Sequence, residues 1–544
     1  MMLGIYKVPK PKNEPVLDYK PGSWERDALK RALKELKETT IEVPLIIGGK
    51  PVKTNNIGEI RPPHEHNHLL GRFHKAEENE VERAIENSLD TADGDWGEWD
   101  WSERANVFLK AADLLAGPYR MKVNAATMLG QSKNVYQAEI DAACELIDFL
   151  RFNTYYMYLI YKEQVNSPKY QWNRLDYRPL EGFVFAVSPF NFTSINGNLP
   201  TAPAIMGNVV IFKPASTAVY SSYFFMKLLE EAGLPSGVIN FIPGNGGTIG
   251  PIVLKNPHLA GIHFTGSTAT FQQMWEIVGG NIATYNTYPR LVGETGGKDF
   301  IFAHESADID ALTTAILRGA FEYQGQKCSA ASRAYIPKPI WEEIKSKIIS
   351  GINGMSMGNV EDFRHFINAI IDKSSFDNIS SYINDTKASS EAEILVGGGV
   401  DDSIGYFIEP TVILAKDPKF RTMCEEIFGP VLSIYVYPAT EYEKTLHLCN
   451  QTSEYGLTGS IFAQDRTAVQ LASKILKNAA GCFYINDKPT GAVVGQQPFG
   501  GARKSGTNDK AGSWLNLLRW TSPRTIKENF LPPTNYRYPF MDDI

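Results

Sequence analysis

The chain has 544 residues, of which 43% are hydrophobic and 21% charged, and its formal net charge is -7 at pH 7. This length and composition predict two or more globular domains and exclude wholesale disorder. Acidic and basic residues are interspersed, and no apolar run approaches the roughly 18–20 residues needed to span a bilayer, so we expect a soluble protein without nucleic-acid or membrane partners.

Cysteine and histidine usage argues against disulfides and metals. No C-x-x-C pair and no metal-binding histidine motif occurs in the sequence. We therefore expect no disulfide framework, no metal site and a reducing compartment, with one cysteine kept for reactivity. The five cysteines are Cys144, Cys328, Cys424, Cys449 and Cys482.

The N-terminal residues, MMLGIYKVPKPKNEPVLDYKPG, are a poor match to a targeting segment. They contain no apolar signal-peptide core, and neither arginine nor serine occurs before Ser23. We expect the mitochondrial matrix if a targeting segment has been removed, and the cytoplasm otherwise.

The first predicted helix begins after Ser23, in SWERDALKRALKELKE. Ser23 can cap it, acidic residues occupy its first turn, and Leu29, Leu33 and Leu36 form one apolar stripe. We expect the helix to pack on the body of the protein through this stripe.

Four short apolar runs between residues 183 and 265 predict buried parallel strands. Helical stretches separate them, and one of these, TAVYSSYFFMKLLEEAG, ends at Gly233 with Pro235 just beyond. Alternation of strands and helices at this spacing predicts βαβ units and an open α/β sheet. The runs are FVFAV (183–187), VVIF (209–212), VINFI (238–242) and GIHF (261–264).

Small, polar or proline-containing segments follow each of the four runs: SPFNF, KPAS, PGNGG and TGST. Ligands of open α/β sheets bind beyond the carboxyl ends of the strands, so these segments predict a nucleotide site. Tight βα turns would explain one or two of them, but four in succession are harder to dismiss. GNGGTI (244–249) misses the dinucleotide fingerprint because Ile249 replaces its third glycine.

Two later segments contain candidates for catalysis. Glu294 lies among glycines in LVGETGGKDF, where an acid could activate water; the alternative is an exposed acid in a turn. Cys328 lies in FEYQGQKCSAASR, where a helix N-terminus would stabilise its thiolate; the alternative is a buried, inert thiol.

These segments, in this order, resemble the aldehyde dehydrogenase family. The matching motifs are SPFNF, KPAS, FTGS, ETGGK, GQKCSA, EEIFGP, YGLTGSIF and PFGGARKSG. The resemblance implies a Rossmann-like NAD(P)-binding domain (20–162 and 182–296), an α/β catalytic domain (297–513) and a small β oligomerisation extension (163–181 and 514–535). It also implies a homodimer or an assembly of dimers.

The same resemblance implies a mechanism and a cofactor. Cys328 is the implied nucleophile, the Asn191 amide and the Cys328 backbone N–H form the oxyanion hole, and Glu294 activates the hydrolytic water. Many NAD-preferring members have an acid where this chain has Ser216, so NADP is possible beside NAD. The other implied cofactor contacts are Ser188, Lys213, Gly266, Ser267, Glu426 and Phe428.

Several segments resemble, more narrowly, the Δ1-pyrroline-5-carboxylate dehydrogenase branch, which oxidises L-glutamate 5-semialdehyde to L-glutamate in proline catabolism. They include AEIDAACELIDFLRFN (138–153), SPFNFTSINGN (188–198) and YINDKPTGAVVGQQPFGGARKSGTNDK (484–510). A rival within the family is a different semialdehyde specificity. A rival outside it is a non-catalytic scaffold, which has no reason to keep Cys328, Glu294 and Asn191.

The branch resemblance also implies a substrate pocket for an amino-acid aldehyde. Glu145 is the implied partner of the α-ammonium group, although its spacing also fits an ordinary helix-surface acid. Successive N–H groups of TGAVVG (490–495) suit the α-carboxylate. The implied pocket residues are Glu145, Phe192, Ser329, Gly491, Ala492 and Phe499.

Overall fold

The computed structural model of the chain describes residue 4, residues 6–94 and residues 96–542. Its α-helices are α1 (Trp24–Glu38), α2 (Glu78–Ala92), α3 (Trp101–Ala116), α4 (Arg120–Gln131), α5 (Val135–Ala138), α6 (Leu146–Lys162), α7 (Thr193–Ile205), α8 (Val219–Ala232), α9 (Gly246–Leu254), α10 (Thr268–Gly280), α11 (Ile309–Phe321), α12 (Lys338–Asn353), α13 (Lys373–Ala388), α14 (Arg421–Cys424), α15 (Tyr442–Thr452), α16 (Arg466–Ile475) and α17 (Trp514–Leu518). A π-helical segment, Glu139–Glu145, joins α5 to α6.

The strands are β1 (Ile41–Val43), β2 (Leu45–Ile47), β3 (Lys50–Val52), β4 (Ile57–Ile60), β5 (Gly71–His74), β6 (Gln171–Arg178), β7 (Phe183–Val187), β8 (Val209–Lys213), β9 (Ile239–Phe241), β10 (Leu259–Thr265), β11 (Arg290–Glu294), β12 (Asp299–Ala303), β13 (Ala331–Pro337), β14 (Ala392–Val396), β15 (Val400–Asp401), β16 (Phe407–Ile408), β17 (Thr411–Ala415), β18 (Val431–Tyr437), β19 (Tyr455–Gly456), β20 (Thr458–Phe462), β21 (Cys482–Ile485), β22 (Ala502–Arg503) and β23 (Ser522–Asn529).

The first large sheet has the strand order β11-β10-β7-β8-β9-β2-β3. Strands β11 to β9 of this order are parallel, and β2 and β3 are added antiparallel. The four predicted apolar runs are β7, β8, β9 and β10, with bounds that differ by at most two residues. Because helices cover both faces, every residue of β7 is buried, and the predicted parallel α/β sheet is confirmed.

A second large sheet has the order β14-β17-β18-β13-β12-β20-β21 and is parallel except at β14. Hydrophobic clusters fill its two sides. Cys328 lies just before β13, which is a central strand of this sheet. The chain thus folds around two large sheets, each packed between hydrophobic clusters on its two faces. The segment that contains Cys328 leads into the second sheet.

Helix α1 and the end of α8 form as the sequence predicts. The Ser23 hydroxyl accepts a hydrogen bond from the backbone N–H of Arg26 at 3.4 Å, and the leucine stripe of α1 is buried. Helix α8 ends at Gly233, whose φ of +96° is the left-handed conformation that closes a helix.

Strands β6 and β23 form a two-stranded antiparallel ribbon whose side chains are largely exposed. It contributes to neither large sheet. The division into cofactor, catalytic and oligomerisation parts stays a prediction. Among the described residues, no helix combines the length and the apolarity needed to cross a membrane.

Candidate active site

The carboxyl ends of the parallel strands of the first sheet lie side by side. In the sheet register Val187 pairs with Lys213 on one side and with Phe264 on the other, and Thr265 pairs with Glu294. The segments SPFNF, KPAS, TGST and ETGGK therefore begin at one edge. This is the edge at which open α/β sheets bind ligands.

Glu294 is the last residue of β11, not an exposed acid in a turn. Its carbonyl accepts the N–H of Gly266 at 3.1 Å, and its backbone bridges to Gly506. Gly506 has a φ of +134°, and a Cβ there would lie 2.2 Å from the carbonyl oxygen of Gly293, so only glycine permits this approach. Desolvation, with a contribution from Asp509, raises the pKa of Glu294 to about 8.

Cys328 lies in a turn between the 3-10 segment Glu322–Gly325 and β13, so the prediction of a helix N-terminus is wrong. Helix α11 ends at Phe321, and Tyr323 and Gln324 beyond it have left-handed φ angles of 52° and 55°. The Gln324 amide donates to the carbonyls of Ser132 and Ala369 at 3.1 and 3.0 Å, which holds this irregular backbone in place.

The surroundings of Cys328 keep its thiol protonated in the free protein. Desolvation raises its pKa well above the ordinary range, and the carboxylates of Glu294, Asp299 and Glu426 raise it further. The N–H of Ser329 acts in the opposite direction. Burial thus favours the protonated thiol in the free protein, and no helix N-terminus stabilises a thiolate at this position.

Two glycines bring the Glu294 segment against the cysteine turn. A Cβ on Gly297 would lie 2.2 Å from the carbonyl oxygen of Cys328, and one on Gly296 would lie 2.3 Å from Glu426 Oε2. Glu426 also accepts the N–H of Gly297 at 2.8 Å. The backbone of the cysteine turn thus leaves no room for a side chain at Gly297, and a side chain at Gly296 would displace the Glu426 carboxylate.

Asn191 reaches the cysteine turn from the first sheet. Its side-chain amide donates to the carbonyl of Gln326 at 3.0 Å, and the second amide hydrogen has no acceptor among the described residues. The helix that follows is fixed at its start, because Asp141 accepts the N–H groups of Thr193 and Ser194 at 3.0 and 2.8 Å. Lys133 pairs with Asp141 at 2.6 Å.

One cavity of about 400 Å³ contains most of the predicted catalytic and substrate residues. Aromatic and small residues form part of its wall, and charged side chains are numerous among the rest, as suits a polar small-molecule substrate. The predicted residues that line it are Glu145, Phe192, Glu294, Cys328, Ser329, Gly491, Ala492 and Phe499.

Glu145 is the last residue of the π-helical segment and faces this cavity, which argues against the helix-surface alternative. Desolvation and the neighbouring Asp141 raise its pKa to about 8, whereas Lys133 lowers it. Binding of a cation would stabilise the ionised form of a carboxyl group in this setting, because a nearby ammonium group lowers the pKa that desolvation has raised.

The loop at 490–495 can receive an anion at Gly491 and Ala492. The N–H of Val493 donates to Gln497 at 3.0 Å and is used within the loop. The N–H groups of Gly491 and Ala492 have no protein acceptor within the described part of the chain. Two adjacent free N–H groups are the minimum of a backbone anion site.

Sequence reasoning missed several cavity residues. Lys327 lines the cavity next to Cys328 and is paired with buried Glu322 at 3.1 Å. The N-terminal residues Asn13, Glu14 and Val16 also line it. These N-terminal residues are far in sequence from the catalytic motifs, and no local pattern predicts that they line the cavity. Only the contacts in the folded protein place them there.

Other residues at the carboxyl edge of the first sheet suit the binding of a dinucleotide. The Ser188 hydroxyl is buried without a hydrogen-bond partner, and desolvation lowers the pKa of Lys213 to about 8. The Lys213 ammonium donates only to the carbonyl of Pro214, at 3.2 Å, among the described residues. Ser267 caps α10, whose N-terminus suits a phosphate group.

Three further predicted cofactor residues surround this edge. Ser216 is exposed at the start of the 3-10 segment Ser216–Ala218, three residues after Lys213. Phe428 has a φ of 57°, and its ring meets that of Phe190 edge-on at 5.8 Å. Desolvation raises the pKa of Glu426 to about 7.

Comparisons with known proteins agree with this site. The chain matches the model of the aldehyde dehydrogenase family over residues 52–526. It is 55% identical over 540 residues to the mitochondrial delta-1-pyrroline-5-carboxylate dehydrogenase of Dictyostelium discoideum, covering 98% of this chain and 96% of the relative. It is 51% identical over 530 residues to the mitochondrial enzyme of the same name from Bos taurus, covering 97% and 94%.

A solved structure extends the likeness to three dimensions. The delta-pyrroline-5-carboxylate dehydrogenase of Mycobacterium tuberculosis, bound with NAD, is 52% identical and has a TM-score of 0.96, covering 100% of both chains.

Proposed function

The chain belongs to the aldehyde dehydrogenase family, and from that premise we propose that it oxidises L-glutamate 5-semialdehyde, formed from Δ1-pyrroline-5-carboxylate, to L-glutamate with NAD. One observation carries the proposal. A single cavity holds Cys328 and Glu294 together with a desolvated carboxyl at Glu145 and free N–H groups at Gly491 and Ala492. This is a reactive centre with one partner for each charged group of an α-amino acid.

Chemistry begins at Cys328. Its thiol gives its proton to solvent water, the sulfur attacks the aldehyde carbon, and the oxyanion of the resulting thiohemiacetal is stabilised by the Asn191 amide and the Cys328 N–H. NAD, when bound, supplies the two-electron acceptor that converts the thiohemiacetal to a thioester. Glu294 then takes a proton from water as the water attacks the thioester, and L-glutamate leaves.

The substrate is held by its other end. Glu145 pairs with the α-ammonium group, and the N–H groups of Gly491 and Ala492, with the Ser329 hydroxyl, receive the α-carboxylate. Phe192 and Phe499 pack on the aliphatic chain between them. These contacts exist before and after the reaction, so they contribute mainly to binding and to selectivity among aldehydes.

NAD would be held by Ser188, Lys213, Gly266, Ser267, Glu426 and Phe428. Lys213 supplies a desolvated cation for the adenosine half, and Ser267 with the start of α10 suits the pyrophosphate. Exposed Ser216 puts no carboxylate against a 2′-phosphate, so we propose that NADP is used as well, less efficiently.

Steady-state oxidation of Δ1-pyrroline-5-carboxylate tests the proposed function. We expect production of NADH with a kcat/KM well above that for succinic semialdehyde or propanal, which lack the α-ammonium group. The same assay with NADP measures cofactor selectivity. A higher kcat/KM for another semialdehyde would show that the family assignment holds but the proposed substrate is wrong.

Glu145→Ala tests how the substrate is recognised. The substitution removes the partner of the α-ammonium group; breaking a buried charge pair costs about 3–5 kcal/mol, and partial solvation of the pocket reduces this. We therefore expect kcat/KM for the glutamate semialdehyde to fall on the order of 10–10³-fold.

Glutaric semialdehyde, which has no α-ammonium group, is the matched comparison for this prediction. Its kcat/KM should change little or rise once the acid is gone. Measuring both substrates on both proteins cancels general damage to the fold. An equal loss for both substrates would make Glu145 structural, and no change in either would place the ammonium site elsewhere.

We propose that the protein forms a homodimer through the β6–β23 ribbon, which is part of neither large sheet. Trp172 in the ribbon and Phe530, Leu531 and Tyr536 just after it are more than half exposed. A two-stranded ribbon is only marginally stable alone, and packing its exposed apolar side chains against a partner would increase its stability. Sedimentation of the protein and of a Trp172→Ser, Leu531→Ser variant should show a dimer and a weakened dimer, respectively.

For the compartment we propose the mitochondrial matrix, because two of the relatives compared above are named mitochondrial. Fractionation of the source cells with an antibody to this chain tests it. Recovery in the cytosolic fraction would contradict it.

A further inference from the structure

An extended N-terminal segment, residues 13–17, closes one side of the substrate cavity; we call it the strap. The Asn13 amide nitrogen donates to Asp148 Oδ2 and to the carbonyl of Val494, both at 2.8 Å. Its oxygen accepts from the Gln496 amide at 2.9 Å. The Asn13 side chain thus uses both hydrogens and its oxygen to join two separate parts of the cavity wall.

The two parts that Asn13 joins lie next to the two halves of the proposed headgroup site, which bind the α-ammonium group and the α-carboxylate. Asp148 lies in the first turn of α6, three residues after Glu145. Val494 lies in the loop that contains Gly491 and Ala492, and Gln496 directly follows that loop. Asn13 itself lines the cavity together with Glu145, Gly491 and Ala492.

Charged contacts hold the strap in this position. The N–H of Glu14 donates to Asp148 Oδ1 at 2.8 Å, and the Glu14 carboxylate binds Arg120 and Arg151, each at 2.6 Å. The N–H of Leu17 donates to buried Glu139 at 2.9 Å. The acceptors Asp148 and Glu139 are themselves buried, so these hydrogen bonds are shielded from water.

The strap lies outside the part of the chain that the general family model matches, which begins at residue 52. The two curated relatives with the narrower name align over 98% and 97% of the chain. The strap is therefore a feature that the general family model omits, and it lies on the substrate side of the cavity. This position suits a role in selecting the substrate rather than a role in the chemical step that the whole family shares.

We propose that Asn13 is a positioning residue that fixes the spacing between the ammonium-binding carboxylate of Glu145 and the carboxylate-binding loop at Gly491 and Ala492. The strap thereby makes the cavity selective for aldehydes that carry an α-amino acid group. This inference rests on the proposed function and deepens it. Asn13 does not touch the reacting atoms, so it acts on binding of the headgroup and not on the reaction at Cys328.

Asn13→Ala tests the inference, with Δ1-pyrroline-5-carboxylate and propanal as paired substrates. The variant loses hydrogen bonds to both wall segments, one of them to a charged group. We expect KM for the glutamate semialdehyde, and the inhibition constant of L-glutamate, to rise on the order of 10-fold, with kcat nearly unchanged. Turnover of propanal should be unaffected, because it has no headgroup.

Two further variants sharpen this test. Lys12→Ala, at the exposed neighbour of Asn13, is the matched control and should behave like the wild type. Gln496→Ala breaks the loop side of the contact; it should give a smaller rise in KM that does not add fully to that of Asn13→Ala, since residues in one contact couple.

The outcomes separate the two proposals. A loss of kcat/KM that is equal for both substrates would make the strap merely structural, and an unchanged KM would show that it positions nothing; either result overturns the inference. If the wild-type protein shows no preference for the glutamate semialdehyde over propanal, the proposed function fails, and the inference fails with it.

Discussion

Cys328→Ala is expected to abolish oxidation of every aldehyde while leaving cofactor binding intact. Alanine has no group that can form the bond to the aldehyde carbon, and loss of a covalent nucleophile costs at least about 10³-fold in kcat. Binding survives because the residues proposed to hold NAD lie at or just beyond the carboxyl ends of strands of the first sheet and on the segment at Glu426, and the thiol bonds only to substrate.

Cys424→Ala is the matched control. Cys424 is also a free, half-buried cysteine, and its thiol donates to the carbonyl of Lys419 at 3.4 Å, outside the cavity. It should keep the wild-type rate. NAD binding to the alanine variant at Cys328, followed by protein fluorescence, should match the wild type. Turnover of even a tenth of the wild-type value would mean that Cys328 is not the nucleophile.

The parallel sheet was predictable because its strands are buried on both faces. Burial on both sides makes the strands β7, β8 and β10 continuous apolar runs, which the sequence displays directly. The ends of those strands then had to meet at one edge. The segments after these strands were therefore predicted to form a nucleotide site, whereas Glu294 was identified from its glycine-rich motif and from the family resemblance.

The setting of Cys328 was not predictable from its neighbours in sequence. A helix N-terminus was a reasonable expectation for a reactive thiol, but left-handed backbone at Tyr323 and Gln324 ends the preceding helix and sets a turn there. Those angles persist because distant carbonyls, such as that of Ala369, bind the Gln324 side chain. Contacts between residues 45 positions apart leave no local pattern.

The position of Asn13 also could not be predicted from its neighbours in sequence. Its partners Asp148 and Val494 are 135 and 481 positions away in the chain. An asparagine in a proline-rich N-terminal segment has no periodicity or motif that predicts a cavity wall. Resemblance supplied Glu145 and the loop at 490–495, but the residue that joins them came from the fold.

Glu294→Gln is expected to separate the two halves of the reaction. Glutamine keeps the shape of glutamate but cannot accept a proton, so attack by Cys328 and oxidation should proceed while hydrolysis of the thioester stalls. We expect a rapid release of about one NADH per active site, followed by turnover reduced on the order of 10²–10⁴-fold, the range of a lost general base.

The pH dependence gives a second signature of Glu294. Its pKa is raised to about 8 by desolvation, so the ionised, base-competent form increases as the pH rises through that value. Hydrolysis of the thioester in the wild type should therefore accelerate from neutral pH up to and just beyond pH 8, and then level off. In Glu294→Gln the slow residual hydrolysis should lose the part of this rise that Glu294 contributes, since the glutamine amide does not titrate.

Rapid mixing of enzyme, NAD and Δ1-pyrroline-5-carboxylate measures the burst, and mass spectrometry of the quenched protein should find the acyl group on Cys328. Glu305→Gln, which alters an exposed acid beyond β12 and away from the cavity, is the control and should show wild-type turnover. The wild type and the variant differ in one proton acceptor, so a burst confined to Glu294→Gln isolates the hydrolytic step. If the variant turns over at the wild-type rate, or accumulates no acyl enzyme, another group activates the water, and the cavity's remaining carboxylates, Glu145 first, become the candidates.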